Sequence, residues 1–477
     1  MGFVVQGALG TVTADGRTRP VSRVKIFELG GRQQGIWHQG MSKEKSEICC
    51  PVERCAGMNQ IALIVAMGGV AAGSMGQTCD FSSVTALCNG ALAGQNVTTA
   101  VPGFDFLIMH RGVVVYHQSF GNWSMNRVAN ADSSTKTLSG ALVMSAIENS
   151  VTPISLDSRI SQFIPEFVGA KTNITMRQAF SHTAGTRESA AVSSQTLTLR
   201  QTATDIGDDV QIFVPGDGFA QPGEYFSYGG TSMHAAGAAV EVATGVPWNT
   251  LFSQRFTAAN RLNMPNTRFV LTTPTNPRIA GGCESTASEF GRFMEMLRRG
   301  GVFDGRRYLS KQSVETMFSR QSPVGVTLLS SPVQISPDPT DYGVGVWLIS
   351  RDETGQLQTG LAAGARGFAS WIDFEDQLVC VFATDVSASG NLQQLYVLLG
   401  QAAQDAIRVC RPCDGIDFNR DGVFPDDRDV VDFFDVLAGG DCPHVVFCDI
   451  DFNNNGVYPE DQDVIDFFNV LAGGECP

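Results

Sequence analysis

Ser133 stands three residues before Lys136 in the stretch NADSSTKTLSGALVMSAIENS, residues 130–150. An apolar face repeats through Leu138, Ala141, Leu142 and Ile147, which is a helical spacing. On a helix beginning near Ser133, the two side chains lie one turn apart on the same face. The hydroxyl then sits where backbone N–H groups and the helix dipole favour developing negative charge. A serine alkoxide needs a base, and a lysine one turn away serves as one if burial and neighbours depress its pKa toward neutrality. Spacing alone is not diagnostic. Ser22/Lys25 and Ser42/Lys45 repeat it, and a capping serine beside a solvated lysine has the same pattern.

The elements that must position this pair are readable in outline. FDFLIMHRGVVVYHQSFG (104–121) reads as two strands around a His-Arg-Gly turn. ITMRQAFSHTAGT reads as a helix ending at Gly185, with His182 a base on paper and more ordinarily a loop-fixing residue. Residues 186–220 are polar and Thr/Ser-rich, a loop over the cleft. TSMHAAGAAVEVATG and STASEFGRFMEMLRRGG read as helices, and YGVGVWLIS, GFASWIDF and QLVCVFATD as three late strands. NLQQLYVLLGQAAQDAIRV closes the domain as a helix. Early strands, a helical middle and late strands returning to one sheet predict an α/β (α+β) architecture with a helical subdomain.

In this order SSTK, SHTAG, PGEYFSY, GGVFDGRRYLS, YGVGVW and GARGFASWID resemble the serine β-lactamase and penicillin-binding-protein superfamily. The likeness is to its class C β-lactamase, D-aminopeptidase and esterase branch, over about residues 80–408. It implies an antiparallel sheet flanked by helices, with Ser133 as nucleophile, Lys136 as its partner and Tyr228 as the proton-shuttling phenol, in preference to Tyr225. Two departures stand out. The residue two after the tyrosine, often Asn in the family, is Gly230. The third motif, Lys-Thr-Gly or His-x-Gly in relatives, aligns with Ala362-Ala363-Gly364 and lacks a basic or hydroxyl side chain. Gly364 still lets the backbone close on substrate, the N–H of Ala365 joins that of Ser133 in an oxyanion hole, and Arg366 is a candidate for the missing cation. The resemblance thus implies a serine hydrolase acting through an acyl-enzyme on a small ester, amide or peptide-like substrate, with no cofactor for catalysis. The departures favour an esterase or amidase over a β-lactamase or D-Ala-D-Ala peptidase. They also motivate the alternative of a binding protein on a scaffold that has lost turnover. No G-x-S-x-G elbow occurs, which argues against the other common serine-hydrolase plan.

At 477 residues the chain exceeds one ordinary domain. Its net charge is −15, of which −13 falls between Val409 and the end; the near-neutral remainder excludes a nucleic-acid surface. That acidic tail contains an internal repeat offset by 34 residues. Each copy begins D-x-N-x-[DN]-G, the opening of a calcium loop, and runs into an amphipathic helix. The predicted calcium ligands are Asp417, Asn419, Asp421 and Asp429, then Asp451, Asn453, Asn455 and Asp463. The closing acid falls at the thirteenth loop position, one later than in an EF-hand, and the pair resembles dockerin-like modules, which implies a protein or surface partner. The expected organisation is a leader or misassigned start (1–57), a secretory signal (58–76), the hydrolase domain (77–408) and the repeats (409–477). Location is therefore expected to be secreted, periplasmic or cell-surface. Cys79 and Cys88 are close enough in sequence to bridge, whereas Cys283 and Cys380 lie in apolar surroundings and are expected as buried thiols.

Overall fold

The computed structural model describes residues 79–209, 221–352, 354–386, 392–410, 413, 415–419, 426–440, 450–453 and 460–474. The expected leader and signal (1–57 and 58–76) lie outside them. Strands β1 (Gly103–His110) and β2 (Val113–Gly121) form the predicted hairpin. His110 pairs with Val113, and the two residues between, Arg111 and Gly112, take φ of 51° and 85°, as a two-residue turn requires. Four late strands join them: β3 (Trp347–Arg351), β4 (Leu357–Ala363), β5 (Ala369–Asp373) and β6 (Leu378–Ala383). The sheet order is β3-β4-β5-β6-β1-β2, antiparallel throughout.

Alternation along the central strands builds two cores. Leu107 and Met109 of β1, with Val379 and Val381 of β6, enter a core shared with the helical region. Phe104, Phe106 and Ile108, with Cys380 and Phe382, enter the opposite one. Every residue of β1 is buried, which explains its nearly unbroken apolar sequence. Helices α1 (Ser82–Leu92) and α9 (Gln393–Cys410) cover one face. The other face meets the helical region: α2 (Thr135–Asn149), α3 (Met176–Phe180), α4 (Leu199–Asp209), α5 (Thr231–Thr244), α6 (Trp248–Phe252), α7 (Ala287–Arg298) and α8 (Lys311–Met317). The α/β antiparallel sheet flanked by helices, with a helical subdomain, is as expected.

Four local readings are corrected. The strand β4, LQTGLAA, was not among the three late strands predicted; its Gly, Ala and Gln have little strand preference, and pairing on both sides with β3 and β5 decides it. The helix of ITMRQAFSHTAGT stops at Phe180, five residues before Gly185, because His182 turns to φ 60°. The polar stretch 186–220 contains α4, whose Leu199, Ala203 and Ile206 are fully buried one helical face apart; its Thr-rich composition hid that stripe. Finally, Cys79 bridges Cys410 rather than Cys88, because α1 packs against α9 and brings the segment leading into one to the end of the other. Cys88 is a buried free thiol, as are Cys283 and Cys380.

In the tail, α10 (Asp427–Leu437) and α11 (Asp461–Leu471) pair through a core of Phe418, Phe433, Phe452 and Phe467. The rings of Phe433 and Phe467, equivalent positions of the repeat, stack at 4.3 Å and 3°.

Candidate active site

A 3-10 turn over Asp132–Ser134 leads into α2, so Ser133 lies in the turn that opens the helix. The Lys136 Nζ donates to Ser133 Oγ at 3.0 Å and to the Ala280 carbonyl at 2.9 Å. It also lies 4.5 Å over the centre of the Tyr228 ring, a cation–π distance. The three residues expected to carry the chemistry thus converge, although Tyr228 comes from the turn that precedes α5, far along the chain from α2.

Buried hydroxyls hold the turn in place. Ser134 Oγ donates to the Phe368 carbonyl at 2.9 Å, Thr135 Oγ1 accepts from the Cys283 N–H at 3.1 Å, and Thr137 Oγ1 donates to the Gly345 carbonyl at 2.9 Å. Gly345, in YGVGVW, has φ 77°, and a Cβ there would stand 2.2 Å from the Lys136 carbonyl. Only glycine permits that backbone approach.

Tyr228 is fixed from behind. Its N–H donates to the Ser330 carbonyl at 3.0 Å, and the N–H of Gly229 donates to His182 Nδ1 at 3.3 Å. The His182 ring packs on Tyr228 with centroids 4.3 Å apart, and Trp347 stacks on it at 5.3 Å. Burial, then the charge of Lys136, holds the His182 imidazole well below its ordinary value, so it is neutral. His182 is the loop-fixing residue; it lines neither cavity at Ser133.

Gly364 closes on the nucleophile turn: a Cβ there would meet the Ala131 carbonyl at 2.4 Å. Ala365 consequently lines the cleft beside Ser133. Arg366 is placed differently from the expectation that it supplies a cation to substrate. Its guanidinium makes a bidentate pair with Asp132 at 2.9 and 2.8 Å and a further contact to Asp385 at 3.1 Å, and it is not among the lining residues. Two carboxylates claim that charge.

The cleft has two lobes that share Ser133, Tyr228 and Ala365. One, about 390 Å³, is walled by Asp132, Glu188, Gly230, His234 and Arg278. The other, about 320 Å³, is lined by Val333, Trp347, Leu392 and Tyr396. Gly230 caps α5, and its N–H donates to Glu188 Oε1 at 2.9 Å. Glu188, His234 and Arg278 carry no motif of their own in the sequence, and only the fold brings them to Ser133.

In the repeats, Asp429 and Asp463 are fully buried, each in the capping box of its helix. Burial, with Asp417 and Asp426 nearby, raises Asp429 to about 6; burial, with Asp451 and Glu460, raises Asp463. Buried acids facing other acids suit a hard cation. Asp421 and Asn455 lie outside the described residues, and among the described residues no three His, Cys, Asp or Glu side chains are grouped as a metal site. The Asn453 amide donates to Asp466 at 2.9 Å.

The Beta-lactamase family model matches residues 89–401. No curated protein matches the chain. Among solved structures, a Bacteroides dorei protein assigned as a beta-lactamase aligns with TM-score 0.59 and 23% identity, over 69% of this chain and 99% of that one. EstCE1, a hydrolase with promiscuous acyltransferase activity, aligns with TM-score 0.53 and 17% identity, over 68% and 97%. A family VIII carboxylesterase aligns with TM-score 0.51 and 16% identity, over 69% and 99%. At these identities the likeness concerns the fold.

Proposed function

This chain belongs to the beta-lactamase family, and on that premise we propose that it is a serine hydrolase that cleaves a small ester or amide through an acyl-enzyme. The observation that carries the reading is the 3.0 Å contact between Lys136 Nζ and Ser133 Oγ, in a cleft that Tyr228 also lines. Ser133 Oγ attacks the carbonyl carbon while its proton is taken up by the Lys136–Tyr228 pair beside it. The backbone at Ser133 and Ala365 receives the oxyanion, the leaving group departs with the proton, and water releases the acyl group by the reverse path. An esterase or amidase is favoured over a β-lactamase because Ala362 and Ala363 offer no side chain to a substrate carboxylate.

Ser133→Ala is expected to lower hydrolysis of a p-nitrophenyl ester panel by at least about 10³-fold. Equal rates in mutant and parent would reject the enzyme. A fluorophosphonate probe separates the alternative of a binding protein: labelling of Ser133 supports the hydrolase, and a folded but unlabelled protein supports the binder.

The reading extends beyond the cleft. An exported location is supported by the Cys79–Cys410 bridge, since such bonds persist in oxidising compartments. Calcium in the repeats is supported by the two buried acids; Asp417, Asn419, Asp421 and Asp429, and Asp451, Asn453, Asn455 and Asp463, would hold it, and it would supply folding stability rather than catalysis. A partner for the repeat pair rests on its resemblance to dockerin-like modules.

A further inference from the structure

The charged groups around the polar lobe are engaged unequally. Asp132 is paired by the bidentate contact from Arg366, which Asp385 shares. Glu188 is also engaged: its carboxylate accepts from the Gly230 N–H at 2.9 Å and the Thr231 hydroxyl at 3.5 Å, at the N-terminus of the 14-residue helix α5, where negative charge is favoured. His234 is buried, its Nε2 paired with Asn276 Oδ1 at 2.8 Å, and burial lowers it to about 4. It is neutral.

Arg278 is the cation on that wall besides Lys136. Arg278 is exposed on the lobe wall, and among the described residues its guanidinium meets neither a carboxylate nor a hydrogen-bond partner. Its backbone is held firmly, because the Arg278 carbonyl accepts from Gly281 at 3.1 Å and Gly282 at 2.7 Å. Two residues on, the Ala280 carbonyl accepts from Lys136, so the segment that presents Arg278 is the one that positions the base. The charge of Arg278 also depresses His234, whose ring lines the same lobe. Across Ser133 the second lobe presents Trp347, Val333 and Leu392 and no charged side chain.

We propose that Arg278 is a specificity-determining residue, and that the cleft takes an ester or amide carrying a free carboxylate on the side facing Arg278 and an apolar group on the other. A planar guanidinium fork matches a carboxylate in geometry as well as in sign. Arg278 thereby supplies, from the opposite wall, the cation that Ala362 and Ala363 do not. This inference rests on the hydrolase reading for its site and concerns which substrate that site prefers.

The test compares three 4-nitrophenyl esters of similar length: glutarate (anionic), butyrate (neutral) and 4-aminobutyrate (cationic). The full chain is expected to prefer the glutarate ester in kcat/KM by about 10-fold or more over butyrate, with the aminobutyrate ester poorest. Arg278→Gln is expected to erase the glutarate advantage while leaving butyrate hydrolysis within about 3-fold, and Arg278→Lys to restore part of it. A preference for the cationic ester would assign the lobe to Glu188 and overturn the proposal, as would equal losses on all three esters in Arg278→Gln. Ser133-dependent turnover without charge preference sinks the proposal and leaves the hydrolase standing. Absence of turnover on every ester counts against the hydrolase, and binding then decides about Arg278. Calorimetry on Ser133→Ala with glutarate mono-4-nitroanilide and butyrate 4-nitroanilide must show tighter binding of the anionic ligand, lost when Arg278→Gln is added; equal binding overturns the assignment.

Discussion

Asp132 adopts φ 45°, a left-handed conformation that is strained for a residue with a Cβ, immediately before Ser133. Arg366 holds it there through Nε and Nη2 of its guanidinium and through its own backbone N–H at 3.1 Å. The same contact ties the turn bearing Ala365 to the turn bearing Ser133, so Arg366 acts through other residues rather than on substrate. Arg366→Ala is expected to lower kcat by about 10–100-fold with KM changed by less than about 3-fold, because a small misplacement of reacting groups is costly. An unchanged kcat on the p-nitrophenyl panel would show that the turn holds without it. His182 offers a second test at this scale. Being neutral, it contributes no limb to the pH–rate profile, so His182→Ala should lower the rate without altering the profile's shape. A limb that vanishes in the mutant would reinstate it as a titrating catalyst.

Elements meet at this site by backbone approach, and glycine marks where. Gly345 against α2 and Gly364 against the nucleophile turn leave no room for a Cβ. Gly345→Ala adds a disfavoured positive φ to the clash and is expected to cost roughly 2–4 kcal/mol in urea unfolding. A cost under about 0.5 kcal/mol would mean that the loop yields. Strand β5 carries a pH-sensitive element. Burial, followed by the nearby charge of Asp376, pushes Asp373 from 3.8 up to about 7. Because its folded value exceeds its unfolded one, its protonated form favours the fold. Stability should therefore fall as pH rises from about 4 to 7, by on the order of a few kcal/mol. Asp373→Asn keeps the shape and should flatten that slope; an unchanged slope would assign the pH dependence elsewhere.

At the scale of the whole molecule, two staples are open to measurement. Cys79–Cys410 closes a loop with a sequence separation of 331, and its reduction is expected to cost about 2–5 kcal/mol. A denaturation midpoint that does not move on reduction would show that α1 and α9 hold without it. In the repeats, a chelator should lower the melting temperature of the tail transition and added calcium restore it. No shift would leave the phenylalanine core as what holds the pair.

The Ser133–Lys136 pair, the β1–β2 hairpin and α5 were legible in sequence because each is set by neighbours within a few residues: helical spacing, a two-residue turn, a glycine at the helix end. The family order of short motifs extended that reading to Tyr228. Strand β4 escaped it because its ladder partners, not its composition, make it a strand. The cysteine partner of Cys79 and the ion pair of Arg366 were equally out of reach, since each depends on residues hundreds of positions away. Tertiary structure decided these, and with them the charge left on Arg278. Burial and pairing set how many charges in a cleft remain uncompensated, and neither can be counted before the chain has folded.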